Sequence, residues 1–384
     1  MSTQENENNH LIALYAKRDI SLVRGDGVFV YDEEGNEYLD CVNGMGVVIL
    51  GHNNHAYVQA VKDQVGEIIT VHSSFFTKER AAFLQTLHSV LPKSLTHSYI
   101  SNSGTEAVEA ALKFARLVTG KPGVISAFRG YHGRTYGAMS VGGTEKYRKP
   151  FEPLLDHMAQ VPFNNIEALK EAYTDQIGAV LLEPIQGEGG VFIPNKDYLA
   201  QVKAFCEDKG ILCIFDEVQS GFRTGTWLAS ESFDVTPDMV CLSKALGNGL
   251  PIAVTSVTSH IADQIPKGAH GSTFGSNPLS CRAARATIEE IQKNNLFEKA
   301  KEVGNYFVEQ LQALDAPLIR EVRGRGLFIG IDLKRKAGLF AKKLQEEHNI
   351  LAMPSGTVLR FLPSLIFEKT HADRVVTALK EVLK

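Results

Sequence analysis

Two ionisable residues in this chain each stand at the end of a short apolar run. Ile211-Leu212-Cys213-Ile214-Phe215 is unbroken and apolar, which suits a strand buried on both faces of a parallel sheet, and it stops at Asp216-Glu217. Met239-Val240-Cys241-Leu242 is a second such run. It stops at Ser243-Lys244, and Gly247-Asn248-Gly249 comes next as a turn. An aspartate and a lysine therefore emerge on one edge of one sheet, at strand carboxyl ends, where open α/β folds bind their ligands.

Two readings of that pair compete. A structural ion pair at the sheet edge needs nothing further. A pyridoxal phosphate (PLP) site needs more: the lysine forms a Schiff base, the aspartate keeps the pyridine nitrogen protonated, and other residues must cradle the phosphate, stack on the ring and bind carboxylates. Candidates for each part are present. Ser103-Gly104-Thr105-Glu106 leads into Ala107, Val108, Ala111, Leu112 and Ala115 at helical spacing, and Ser103 with Glu106 reads as a capping box. Such a helix start offers free N–H groups to an anion, and Gly104 would let a phosphate approach the backbone, although a plain helix cap is the commoner meaning of this pattern. In the loop Phe128-Arg129-Gly130-Tyr131-His132-Gly133-Arg134-Thr135, Tyr131 is a ring-stacking candidate and Arg134 a carboxylate fork. Either fits an ordinary surface loop equally well.

A third apolar run, Ala179-Val180-Leu181-Leu182, ends at Glu183-Pro184-Ile185-Gln186-Gly187-Glu188-Gly189-Gly190. Its glycines do not fit G-x-G-x-x-G and no helical pattern comes at once after them, which argues against a dinucleotide site. His270 to Pro278 is a loop of small residues carrying the hydroxyls of Ser272 and Thr273. His52 and His55 lack a third ligand nearby, so no metal site is expected.

The elements that must position these residues alternate. Tyr198 to Lys209 carries Leu199, Val202, Phe205 and Cys206 on one face, ends at a Gly210 cap and feeds the Asp216 strand. This βαβ alternation predicts a parallel sheet. Val28 to Tyr31 and Glu37 to Asp40 read as a hairpin around a turn containing Gly35, and Gly44, Gly46 and Gly51 punctuate the next stretch of chain. From Ser280 the pattern changes to a long helix, an alternating strand Leu327–Leu333, further α/β pieces and a last helix from about Ala372. The expected organisation is a large domain over residues 51–279 and a small α/β domain built from both chain ends, residues 1–50 and 280–384.

Bulk composition bounds the function. The chain has 384 residues, 44% hydrophobic and 22% charged, with a formal net charge of −4, which is globular and carries no basic stripe for nucleic acid or a membrane surface. Small metabolites are the expected partners. The five cysteines form no C-x-x-C, and Cys206, Cys213 and Cys241 fall in apolar segments, so buried free thiols in a reducing compartment are expected. The polar stretch Met1 to His10 has no apolar signal region, and no uncharged run approaches the roughly 18 residues of a membrane span, so a cytoplasmic protein is expected.

With Ser103-Gly104-Thr105, Tyr131, Arg134, Asp216 and Lys244 in this order, the sequence resembles the class III (subgroup II) aminotransferases of PLP fold type I. The resemblance runs from about Leu22 to the C-terminus through SNSGTEAVEAALKFAR, YHGRT, EPIQGEGGV, FDEVQSG, SKALGNG, HGSTFGSNP and VLRFLPSL. Within the class it is similar to the acetylornithine branch. CVNGMGVVILGH and EVRGRGLFIGIDL are closer still to the thermophile and archaeal enzymes acting on lysine or ornithine precursors attached to an acidic amino-group carrier protein.

The resemblance implies a mostly parallel seven-stranded sheet in the large domain and a homodimer with shared sites. It implies that Lys244 bonds the cofactor, Asp216 pairs with the pyridine nitrogen and Gln219 hydrogen-bonds the ring oxygen. Ser103, Gly104 and Thr105 would hold the phosphate, Tyr131 would stack on the ring, and Thr273 would reach the phosphate of the partner subunit's cofactor. Arg134, Arg360 and the Ser272 loop would face the substrate, with Glu188 as a gate that pairs with Arg360 for an ω-amine and releases it for glutamate. The implied reaction moves an amino group between glutamate/2-oxoglutarate and the semialdehyde of an N-blocked ornithine or lysine. Other ω-aminotransferases and a non-catalytic PLP-fold binding protein are the alternatives, and the last would need Lys244 or Asp216 to be missing. The sequence departs from the family pattern in three places: one residue is absent before Arg223, Asn248 stands where glycine is usual, and Asn54-His55 replaces a proline-bearing motif.

Overall fold

The computed structural model of the chain describes residues 2–384. Seven strands form its central sheet, in spatial order Leu95–Ser101, Ala253–Thr258, Met239–Leu242, Leu212–Asp216, Ile177–Leu182, Gly123–Ala127 and Met158–Val161. Ala253–Thr258 runs antiparallel to both its neighbours, and the remaining pairings are parallel. The apolar runs of the sequence are the middle of this sheet: every residue of Ile177–Leu182 and Met239–Leu242 is buried. Strands covered on both faces have no polar side to alternate with, which explains their unbroken apolar character.

Helices supply the two cover layers. Gly104–Thr119 packs Ala107, Val108, Ala111 and Ala115 against one face, and Tyr198–Lys209 packs Leu199, Val202 and Cys206 against the other. Both end at a left-handed glycine, Gly120 at φ 67° and Gly210 at φ 60°, where a residue without a Cβ closes the last turn at low cost.

Two four-stranded sheets lie outside the central one, the first built from both chain ends and the second from the C-terminal part alone. In one, Leu22–Asp26, Phe29–Asp32 and Glu37–Asp40 run antiparallel, and Ile350–Leu351 from the C-terminal part adds in parallel beside Leu39 and Asp40. The other is antiparallel, in the order Ile319–Arg325, Phe328–Leu333, Val358–Phe361, Met353–Ser355. The expected boundary at 279/280 falls inside the helix Pro278–Lys293, which packs on the helices His55–Glu67 and Lys78–Val90. Asn277 caps that helix through Ser280 N and Pro278 opens it, so the chain commits to a helix before the change of pattern the sequence shows at Ser280.

Candidate active site

The carboxyl ends of three adjacent strands deliver Glu183, Asp216 and Lys244 to one cavity of about 250 Å³. Asp216 is 3% exposed. Its Oδ1 accepts from Val218 N at 3.0 Å, and its Oδ2 lies 2.8 Å from Nδ1 of the buried His132. The carboxylate is thereby held by the turn on one side and an imidazole on the other. Lys244 stands two residues beyond its strand at φ 40°, a left-handed setting that costs a side-chain-bearing residue of the order of 1 kcal/mol or more. Ser243 Oγ donating to Ile252 O and Leu246 N donating to Ser243 O fix the turn around it. Burial lowers the Lys244 amine to about 8, against the opposing pull of Asp216, Glu183 and Glu188.

The helix Gly104–Thr119 points its first turn into the same cavity, and Gly104 and Thr105 line it. Ser103 Oγ accepts from Glu106 N as the cap requires. The Glu106 carboxylate, however, reaches back to Asn102 N and Nδ2 rather than to Ser103 N, so the box is only half of the pattern read from the sequence. Gly104 has a packing reason as well as the expected one: a Cβ there would stand 2.7 Å from Val218 Cγ1. Thr105 Oγ1 pairs with Thr135 Oγ1 at 2.8 Å, and Gly133 is forced to be glycine because its Cβ would lie 2.1 Å from Thr105 Oγ1.

Tyr131 and Arg134 border the cavity. Tyr131 N donates to Glu183 at 2.9 Å, while the exposed Arg134 guanidinium lies over the Tyr147 ring, 3.6 Å from its centroid. Arg360, on the strand Val358–Phe361, is fully buried. It donates from Nη2 to Glu188 Oε2 at 2.8 Å and from Nη1 to Gly187 O at 3.0 Å, leaving its Nε without a partner. Gln219 sits on the turn after the Asp216 strand, and its buried Oε1 has no hydrogen-bond partner. These features fit PLP: free N–H groups for a phosphate, a carboxylate for a ring nitrogen, an amide on the cavity wall and a neutralisable amine.

Ser272 and Thr273 stand apart from this cavity. Ser272 Oγ accepts from Asn102 Nδ2 at 3.1 Å and from Gly275 N at 3.0 Å, so its hydroxyl has partners within its own chain, and Thr273 is exposed. Three site groups escaped sequence reasoning. His132 lies inside the YHGRT motif yet gives no signal of its own, since its Asp216 contact spans 84 positions. Glu183 was visible only as a polar strand end, and Tyr147 was not singled out at all.

The three departures have local causes. Arg223 is fully buried, donating from Nε to Gln219 O and from Nη2 to Gly46 O, and in the shortened loop Phe222 takes φ 68°, a value better suited to glycine. Asn248 takes φ 44° and accepts from Leu50 N through Oδ1 at 2.8 Å, an anchor that glycine lacks. Asn54 caps the helix His55–Glu67 by accepting from Tyr57 N at 3.0 Å. His52 is engaged by Asp40, 2.9 Å away.

Comparison with known proteins agrees with this chemistry. The family model Aminotransferase class-III matches residues 14–383. The chain is 41% identical over 381 residues to the LysW-aminoadipate semialdehyde transaminase of Deinococcus radiodurans, covering 98% of this chain and 89% of that one. It is 39% identical to the acetylornithine aminotransferase of Methanosarcina acetivorans, covering 99% and 96%. Among solved structures, ornithine aminotransferase from Toxoplasma gondii superposes with a TM-score of 0.93 at 29% identity, covering 99% of this chain and 93% of that one. The omega transaminase of Pseudomonas jessenii in complex with PMP superposes with a TM-score of 0.94 at 26% identity, covering 100% and 98%. With a lysine, an aspartate and a helix start converging on one cavity and a family match over almost its whole length, the chain belongs to the class III aminotransferases and is a PLP-dependent transaminase.

Proposed function

We propose that this transaminase moves an amino group between glutamate/2-oxoglutarate and the ω-semialdehyde of a blocked ornithine or lysine precursor, either N-acetylated or linked to an acidic amino-group carrier protein. The observation that carries the reading is the pairing of the buried Arg360 with the half-buried Glu188, which lines the lysine cavity. An arginine able to bind the α-carboxylate of glutamate must be neutralised when an ω-amine, with no carboxylate near its reacting carbon, takes the same place. A glutamate that pairs reversibly does this, because an unpaired charge in a closed site is costly. The names of the Deinococcus and Methanosarcina relatives support the blocked substrates.

When bound, PLP supplies an aldehyde that links to amines and a ring that withdraws electrons from the reacting carbon. The chain's residues do the rest. Lys244, displaced by the incoming amine and neutral in part near pH 7, takes and returns a proton at Nζ. Asp216, held by His132 and Val218 N, keeps a proton on the ring nitrogen. Gly104 and Thr105 offer hydrogen bonds to the phosphate, Ser103 caps the helix that presents them, and Tyr131 covers the ring. Arg134 holds a distal carboxylate of the blocked substrate.

Homodimer formation belongs to the same proposal, with Thr273 reaching the partner's cofactor phosphate. The exposed rings of Phe274, Phe75 and Phe76 support it. The first adjoins Thr273, and the others lie on a segment tied to the same loop through Ser73 Oγ and Ser276 Oγ, 3.0 Å apart. Among the described residues no helix is long and apolar enough to cross a membrane, and we infer a cytoplasmic enzyme. Steady-state comparison of N-acetylornithine, carrier-linked ornithine, carrier-linked lysine and free ornithine tests the proposal. A blocked substrate should be preferred at least tenfold in kcat/KM, and preference for free ornithine would contradict it.

A further inference from the structure

Glu183 occupies a crossing point that the assigned roles leave unexplained. It closes the strand Ile177–Leu182, is 5% exposed and forms no ion pair with a lysine or arginine among the described residues. Its Oε1 accepts from Tyr131 N and its Oε2 from Gly187 N, each at 2.9 Å. Gly187 is itself a junction. Its carbonyl accepts from Arg360 Nη1, it precedes Glu188 in the chain, and a Cβ on it would lie 1.8 Å from Gln219 Oε1, so nothing larger than glycine fits against that amide. One carboxylate therefore ties the loop carrying Tyr131 to the backbone carrying the arginine pair.

We propose that Glu183 is a positioning residue that couples the Tyr131 loop to the Glu188–Arg360 pair, both of its oxygens being needed as acceptors for the pair to be held closed. The inference rests on the transaminase reading for its consequence, though not for its geometry. In a protonated acid or an amide, one of the two N–H donors faces an O–H or an NH2 group instead of a carboxylate oxygen, so one anchor is weakened. Burial raises this carboxyl to about 7, with Asp216 adding to the rise while His132 and the two N–H donors oppose it, and Lys244 also faces the group. The anchor would thus loosen over an accessible pH range, and the closed pair, which the ω-amine requires, would weaken relative to the open one.

Two measurements test this. In the cofactor-free wild type, hydrogen exchange at the Tyr131 and Gly187 amides, corrected for intrinsic rates, should show at least one of them about tenfold better protected at pH 8 than at pH 5.5. Equal protection at both pH values would overturn the coupling. In the loaded protein, the ratio of ω-amine to glutamate single-turnover efficiency (maximal rate over half-saturation) should rise with pH through a midpoint near 7. In Glu183→Gln it should be flat at the wild-type low-pH value. A Gln variant that keeps the wild-type profile would also overturn the proposal. If wild type performs no half-reaction at all, the transaminase reading fails while the exchange result stands on its own.

Discussion

Lys244 is the residue on which the chemistry turns, and its setting explains how an amine of ordinary type becomes useful. Burial removes water from the ammonium, while three carboxylates within electrostatic reach keep the shift moderate, giving a value of about 8 rather than 10.5. The cofactor-free chain should therefore take up PLP at a rate that climbs with pH through a midpoint near 8, read from the visible absorbance. A midpoint near 10.5 would mean that the amine is solvated. The same shift has a stability consequence. Between these two values the unfolded chain binds the proton that the folded chain has lost, so folding gains as pH rises across that window. Lys244→Ala should lower turnover by at least about a thousandfold and abolish the borohydride-reducible bond to the chain, with the fold retained. Survival of either property would remove Lys244 from its role. Asp216 and Lys244 were legible because each ends an apolar run. His132 was not, because nothing in a sequence marks which side chain will meet an aspartate 84 positions away.

At the scale of elements, the sheet was legible and its margins were not. Buried parallel strands write themselves as unbroken apolar runs, and helices announce their caps, so Ile177–Leu182, Leu212–Asp216 and Tyr198–Lys209 can be read from the sequence. Close approaches between loops leave no such trace. The Gly133 position illustrates this: it looks like an ordinary loop glycine, yet it lies against Thr105, whose first-turn position is proposed to hold the phosphate. Gly133→Ala should push the start of the helix Gly104–Thr119 aside, costing about 1–3 kcal/mol of stability and weakening PLP binding in proportion. Gly35→Ala is the control. It meets nothing within 4 Å, so only its backbone conformation at φ 85° is strained, and PLP affinity should be unchanged. Equal effects of the two substitutions on PLP affinity would show that the contact with Thr105 is irrelevant. The Ser272 hydroxyl is another margin: nothing in the sequence pairs its loop with Asn102, whose Nδ2 donates to it from 170 positions away.

The whole molecule assembles one site from distant parts of the chain: Glu188 and Lys244 come from segments that follow strands of the central sheet, Arg360 from a strand of the C-terminal part, and the proposed phosphate contact of Thr273 from a second copy. The dimer predicts a sedimentation coefficient of two chains and, for Thr273→Ala, weaker PLP retention without dissociation. An active monomer that holds PLP would contradict it. The Arg360–Glu188 pair, 2.8 Å apart with the arginine fully buried and the glutamate half-buried, is proposed to let one cavity accept two unlike amines. Single-turnover measurement of each half-reaction, tracked through the cofactor spectrum in Glu188→Ala and Arg360→Ala, tests it most directly. Glu188→Ala should handicap the ω-amine half while sparing or favouring glutamate, and Arg360→Ala should mainly damage the glutamate half, each by tenfold or more. If both substitutions slow both halves by the same factor, the pair is structural and the gating account is wrong.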